Sequence, residues 1–141
     1  MTGGGAEAAD PRLLEEPYPF QRLLGFRMTG WADGTARFEM PLAERHMNRY
    51  GIPHGGVYAS LLDTVMGFAG SWTGDPGDRR LVMTLTLTTS FLARPEGDLL
   101  LAEGRRTGGG RSTYFAEGRL TDRAGTLVAT GTGTFRYRTP R

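Results

Sequence analysis

The chain has no cysteine and no lysine, and histidine occurs only as His46 and His54. Each absence removes a class of chemistry. Without cysteine there is no disulfide framework, no thiolate nucleophile and no thiolate-ligated zinc. Without lysine there is no amine for Schiff-base catalysis, because all 17 basic residues are arginines, whose guanidinium stays protonated. Two histidines argue against a histidine-rich metal centre. An excess of one charge is also missing. The 17 bases face 15 acids for a net +2, and no basic run exceeds two residues, a poor basis for binding nucleic acid. No apolar stretch approaches the roughly 18 residues of a membrane helix. The start, Met1-Thr2-Gly3-Gly4-Gly5-Ala6-Glu7, has neither the basic beginning nor the apolar block of a signal peptide. These features predict a cytoplasmic protein without a nucleic-acid or membrane partner.

What is present suits one globular domain. The 141 residues are 38% hydrophobic, enough for a single core. Glycine is abundant, 22 residues, against an average near 7%. The excess clusters at turns and in the first ten residues, so residues 1–17 are expected to form a flexible N-terminal segment ahead of a domain over 18–141. Asp10-Pro11 has the form of a helix start, and 18–24 that of a short helix ended by Gly25. Residues 26–31 and 35–40 read as a hairpin around Asp33-Gly34, the second strand ending at Pro41.

After a polar loop over 42–53, one long apolar segment runs from His54 to Trp72. It is too long for a strand and apolar nearly all round, which marks a buried helix. Gly74-Asp75-Pro76-Gly77-Asp78 breaks it. The rest alternates as strands over 80–92, 98–106, 111–121 and 126–138, the last three as an antiparallel meander. One long helix against one curved antiparallel sheet of about five to six strands is an α+β arrangement.

Two features carry chemistry. Asp63 is the only charge between Arg49 and Asp75, in the middle of the apolar helix. A buried carboxylate is costly unless it is paired, hydrogen-bonded or functional. The alternative is a wet helix face, but Ala59, Ser60, Met66 and Gly67, three or four residues away, carry no charge. The second feature is His54-Gly55-Gly56 at the helix start. Free N–H groups there, at the positive end of the helix dipole, have the form an oxyanion hole needs. An ordinary glycine-rich helix start is the plainer reading. Gly56 and Asp63 are seven residues apart, or about 10.5 Å along the axis. That is too far for both to act on one carbonyl. Two antiparallel copies of the helix would bring Asp63 of one chain to Gly55 and Gly56 of the other, in a twofold dimer.

The run Asn48-Arg49-Tyr50-Gly51-Ile52-Pro53-His54-Gly55-Gly56-Val57-Tyr58-Ala59-Ser60-Leu61-Leu62-Asp63 resembles the signature of hotdog-fold acyl-CoA thioesterases, most of all the phenylacetate-degradation (PaaI-like) branch. The likeness extends over about residues 20–138 and includes Phe91-Leu92-Ala93-Arg94-Pro95, the Gly110-Arg111 turn and Gly125-Thr126-Leu127-Val128-Ala129. It implies a hotdog fold and a thioesterase, a homodimer paired again into a tetramer. Asp63 would be the catalytic carboxylate, as base or nucleophile. The Gly55 N–H, with Gly56, would polarise the thioester carbonyl, and His54 and Asn48 would hydrogen-bond around the reacting group. Thr84 matches a hydroxyl position facing the acid, its alternative being a solvent-facing threonine. No cofactor is implied, since CoA is part of the substrate.

CoA phosphates need cations or backbone donors. Arg105, Arg106 and Arg111 flank Gly108-Gly109-Gly110, so Arg111, Gly110 and Arg106 are the phosphate candidates, against the plainer reading of a solvated hairpin tip. Tyr58, Met66 and Phe68 are candidates for an acyl pocket. A hotdog hydratase or dehydratase is the alternative enzyme, although its Asp-x-Asn-Pro-x-His helix start is lacking. A non-catalytic acyl-CoA-binding domain is the other alternative.

Overall fold

Local sequence signals account for most of the elements. In the computed structural model, which describes residues 8–139, Pro19–Leu24 forms α1, closed by Gly25 in the left-handed region at φ 90°. The hairpin is β1 (Arg27–Ala32) and β2 (Thr35–Pro41). A 3₁₀ turn at Glu44–His46 precedes the long helix α2 (Gly55–Ala69). Then follow β3 (Val82–Phe91), β4 (Leu99–Gly109), β5 (Thr113–Thr121) and β6 (Leu127–Tyr137).

The strands form one six-stranded sheet in the order β1-β2-β4-β5-β6-β3, every neighbouring pair antiparallel. α2 contacts all six strands. Alternation along the strands turns Ala36, Phe38, Met40, Leu100, Ala102, Ala116 and Leu120 inward. They meet Leu61, Leu62, Val65 and Met66 of α2, each fully buried. The approach is close because Gly104 has no side chain: a Cβ there would lie 2.4 Å from the Val65 carbonyl oxygen. At its C-terminal end α2 leaves carbonyls without helical partners. Trp31 Nε1–H donates to Phe68 O at 2.8 Å, Tyr114 Oη–H to Gly67 O at 2.8 Å, and Tyr137 Oη–H to Gly70 O at 2.9 Å.

Four expectations change. Asp10 caps only one turn, accepting from the Arg12 N–H at 2.9 Å, and Pro17 and Pro19 keep the chain from continuing as helix. Residues 1–7 lie outside the described residues, whereas 8–17 lie against the domain: Ala8 bridges Gly30, Leu13 packs on the core, and Glu15 reaches Arg79 at 3.8 Å. β4 runs through Gly108 and Gly109 rather than turning there, because a bulge after Arg106 absorbs the irregularity. Finally, α2 is not apolar all round. Ser60, Asp63, Thr64, Gly67 and Phe68 form a half-buried stripe on one side.

Candidate active site

Two stretches of α2 present chemistry. At its start, the loop from 42 to 54 is stapled by its own polar groups. His46 is fully buried, its Nδ1 accepting from the Ala43 N–H at 2.9 Å and its Nε2 lying 2.7 Å from the Leu24 carbonyl oxygen. One ring nitrogen accepts and the other faces an acceptor, which requires the neutral Nε2–H tautomer. The Asn48 side-chain oxygen accepts from the Tyr50 N–H at 2.8 Å. Asn48 therefore shapes the loop that delivers the helix start through its side-chain oxygen. Sequence reasoning passed over His46, since a lone histidine in a polar loop carries no pattern.

The helix start itself separates the two glycines. His54 is the N-cap, and its Nδ1 accepts from the Gly56 N–H at 2.8 Å. The Val57 N–H donates to the His54 carbonyl at 2.9 Å. That leaves the Gly55 N–H as the first-turn donor with no acceptor among the described residues. The pairing expected of Gly55 and Gly56 is thus corrected, because the Gly56 N–H is spent on the cap. Gly55 also lies beneath the Phe91 ring, 3.0 Å from where a Cβ would stand.

Two turns further on, Asp63 is half-buried, and its Oδ1 accepts from the Thr84 hydroxyl at 2.6 Å. Its Oδ2 has no partner among the described residues. Thr84 remains exposed on the strand, yet its hydroxyl reaches the helix carboxylate, so it is solvent-facing and bound to Asp63 at once. Asp63 opens on a cleft of about 300 Å³ walled by Trp31, Gly67, Phe68, Val82 and Phe135, with Leu13 and Tyr18 of the N-terminal segment along one side. Of the three expected pocket residues only Phe68 lines it. Tyr58 and Met66 are core, 6% and 0% exposed. Trp31 and Phe135 sit on strands distant in sequence from Asp63, and no local signal could have placed them there.

The arginines divide. Arg106 pairs with Asp33 at 3.1 Å and anchors the β1–β2 turn, and Arg105 pairs with Glu117. The expected cluster of Arg105, Arg106 and Arg111 is therefore dispersed, because cross-strand partners claim the first two. Arg111 is exposed at the β4–β5 tip, where the Gly110 N–H donates to the Thr113 carbonyl at 2.8 Å. Strand register sets this tip at the same end of the sheet as Thr84, since Tyr114, Phe135 and Thr84 lie side by side. Arg12, Arg79 and Arg80, unmarked by any motif, also border the cleft. Among the described residues no group of three or more His, Asp or Glu side chains could hold a metal ion, and no helix is long and apolar enough to cross a membrane.

A free helix-start N–H, a hydroxyl-held carboxylate and a cleft lined by rings on one side and charged side chains on the other are parts an ester-type hydrolase uses, and comparison with known proteins agrees. Residues 50–129 match the thioesterase superfamily. A Halobacterium salinarum protein whose name marks it as a candidate esterase is 30% identical across 96% of this chain and 97% of its own length. The PaaI protein of the E. coli phenylacetic acid degradation operon shares the fold, with a TM-score of 0.75 at 21% identity over 86% of this chain and 85% of that one. So does a Streptococcus mutans protein solved with acetyl CoA bound, at a TM-score of 0.71 and 23% identity over 82% and 90%. By its six-stranded antiparallel sheet around one helix, and by a family match over more than half its length, the chain belongs to the thioesterase superfamily and has the hotdog fold.

Proposed function

We propose that this protein hydrolyses an acyl- or aryl-CoA thioester to the free acid and CoA, at sites shared between two copies of the chain. The observation that carries the reading is Asp63, held by Thr84 through one oxygen and free at the other, at the rim of a cleft that Trp31, Phe68 and Phe135 help to wall. Negative charge develops on the thioester oxygen as its carbonyl carbon is attacked, and the Gly55 N–H at the helix start would stabilise it. Asp63 takes a proton from the attacking water, or attacks the carbonyl itself, while Thr84 holds its orientation. The C–S bond breaks, CoA leaves as the thiol after protonation, and water supplies the hydroxyl of the acid. His54, as the cap, orients the helix start. CoA enters as substrate, with no separate cofactor, and such a substrate fits a cytoplasmic location.

Within one chain Gly55 and Asp63 are eight residues apart, or about 12 Å of helix rise. A second copy supplies the missing half. β3 is an edge strand, and its Met83, Leu85, Leu87 and Phe91 are 47%, 51%, 36% and 54% exposed. An open apolar edge invites pairing with another strand. An antiparallel β3 pair centred near Leu87 and Thr88 would bring the Thr84 end of one strand, with its Asp63, beside the partner's Phe91 end, with its Gly55. Pairing of two such dimers into a tetramer extends the same reading. The phosphates would meet Arg111 at the β4–β5 tip, and Arg79 is added as a second cation bordering the cleft. The PaaI-like branch is proposed on the motif around Asn48, His54 and Asp63 and on the shared fold.

The test is thiol release from a panel of acyl-CoA esters by wild type and Asp63→Asn. Wild type is expected to release free CoA, and the variant to lose activity by about three orders of magnitude, the scale of one essential catalytic group. Undiminished release by Asp63→Asn would remove Asp63 from the chemistry. Hydration of crotonyl-CoA would favour a hydratase instead, and tight binding without turnover a non-catalytic domain.

A further inference from the structure

The Gly55 N–H stands at the most pliable place in α2. Gly55 and Gly56 lack the side chains that narrow backbone choice, and helix ends fray. A side chain at 55 is excluded, since a Cβ would stand 3.0 Å from the Phe91 ring. Yet a donor that stabilises developing charge must be aimed before the reaction begins. The aim comes from both neighbours of Gly55. The His54 N–H donates to the His46 carbonyl at 2.8 Å, and the Gly56 N–H donates to His54 Nδ1 at 2.8 Å. The Gly55 N–H lies between these two anchors.

The first anchor leads to His46, which is fully buried with both ring nitrogens engaged. Nδ1 accepts from the Ala43 N–H at 2.9 Å, and Nε2–H donates to the Leu24 carbonyl at 2.7 Å. The ring is bolted to the 3₁₀ turn at one nitrogen and to the last residue of α1 at the other. Two bonds in different directions fix the ring, and with it the backbone of residue 46 and the direction of its carbonyl. The loop between the two histidines is closed by its own backbone: Met47 bridges Pro53, and the Asn48 N–H donates to the Ile52 carbonyl at 2.8 Å. An apolar side chain would fill this space without the cost of burying polar nitrogens. A fully satisfied polar network instead holds one arrangement rigidly. We propose that His46 is a positioning residue, which through its carbonyl and His54 keeps the Gly55 N–H aimed at the thioester oxygen. The inference rests on the thioester-hydrolase reading and adds the residue that holds its oxyanion donor in place.

The experiment compares wild type, His46→Leu, His46→Asn and Arg45→Gln. Thiol release from the best ester of the acyl-CoA panel gives kcat and KM, and melting curves establish that each variant is folded. Amide hydrogen exchange by NMR reads the loop without recourse to activity. His46→Asn keeps an acceptor for the Ala43 N–H and serves where the leucine variant does not fold. Arg45→Gln removes the other donor to the Leu24 carbonyl, Nη2 at 3.2 Å, and leaves the His46 ring in place. His46→Leu is expected to lower kcat by at least about tenfold with KM within about threefold, a part of the hundredfold or more that an oxyanion donor contributes. Its Ala43 and His54 N–H groups are expected to exchange at least about tenfold faster, with Leu61 and Val65 unchanged. His46→Asn falls between, and Arg45→Gln matches wild type. Unchanged kcat in the folded His46 variants, an equal loss in Arg45→Gln, or faster exchange along the whole of α2 would overturn the inference. If no ester is hydrolysed while His46→Leu frees the His54 N–H, the hydrolase reading fails and the hold of His46 on the helix start stands. Absence of both hydrolysis and any change in exchange overturns both.

Discussion

A single hydrogen bond separates an ordinary helix carboxylate from the one at position 63. The Thr84 hydroxyl at 2.6 Å fixes Asp63 Oδ1, and so fixes where Oδ2 points. A hydrogen bond to a charged group contributes about 1.5–3 kcal/mol, which converts to roughly tenfold or more in rate if it is needed in the transition state. Thr84→Val is therefore expected to lower kcat by at least about tenfold with KM little changed, and Thr84→Ser to recover most of it; steady-state kinetics on the preferred CoA ester reads both. A threonine within an alternating run gives no sign of this role by itself, because its contact with Asp63 is made only where β3 packs beside α2. His54 shows the converse. Its neighbours Gly55 and Gly56 made a helix start legible, but its ring turned out to occupy one of the two N–H groups.

At the scale of elements, the strand ends and turns do more than connect. Three aromatic donors from β1, β5 and β6 close the C-terminal end of α2 around its Gly70 cap, where no basic residue stands in the last turn. Tyr114 is fully buried, and burial raises its hydroxyl well above the ordinary tyrosine value, so it remains a neutral donor. Tyr114→Phe leaves a buried carbonyl unsatisfied and is expected to cost about 1–3 kcal/mol, measured by denaturant unfolding.

The β5–β6 turn depends on Asp122, which is 2% exposed. It accepts from the Glu96 N–H at 2.7 Å and from the Ala124 and Thr126 N–H groups at 2.9 Å each. These bonds, that from Glu96 foremost, hold its carboxyl below the usual carboxylate range. A lowered folded-state value stabilises the protein above the unfolded-state value, near pH 4, and that contribution is lost as pH falls through the lowered one. Asp122→Ala should lower the melting temperature at pH 7 and show less further loss on acidification below pH 4 than wild type. Thermal melts across pH 2–7 check this. An aspartate followed by Ala124 and Gly125 reads as a turn, but its hold on the loop at Glu96 is a contact across 26 residues.

For the whole molecule, the decisive feature is an open sheet edge. β3 has exposed residues along most of its length, although its Thr/Leu alternation looks like that of any half-buried strand. Nothing in that pattern tells an edge strand from a central one. In the proposed dimer Leu87 lies near the twofold axis, so Leu87→Glu places two like charges side by side. Sedimentation is expected to show a monomer, and thiol release is expected to fall by about a hundredfold or more, with the melting curve showing a folded chain. An active monomer would sink the shared site.

Composition and periodicity alone determined much of this protein. The absence of cysteine and lysine excluded thiolate and amine chemistry, and the length of the apolar run at 54–72 required one central helix. Turn residues set the strand ends within a few positions, because those signals act between neighbours in the chain. Tertiary structure decided what depends on distant residues meeting: that Thr84 rather than its neighbours reaches Asp63, that Arg106 is held by Asp33, that Trp31 and Phe135 wall the cleft, and that β3 joins β6 and lies at the edge. The physical reason is common to all four. Side-chain spacing predicts a face, but which face meets which is settled only by the strand order, the bulges and the close approach of helix to sheet that Gly104 permits.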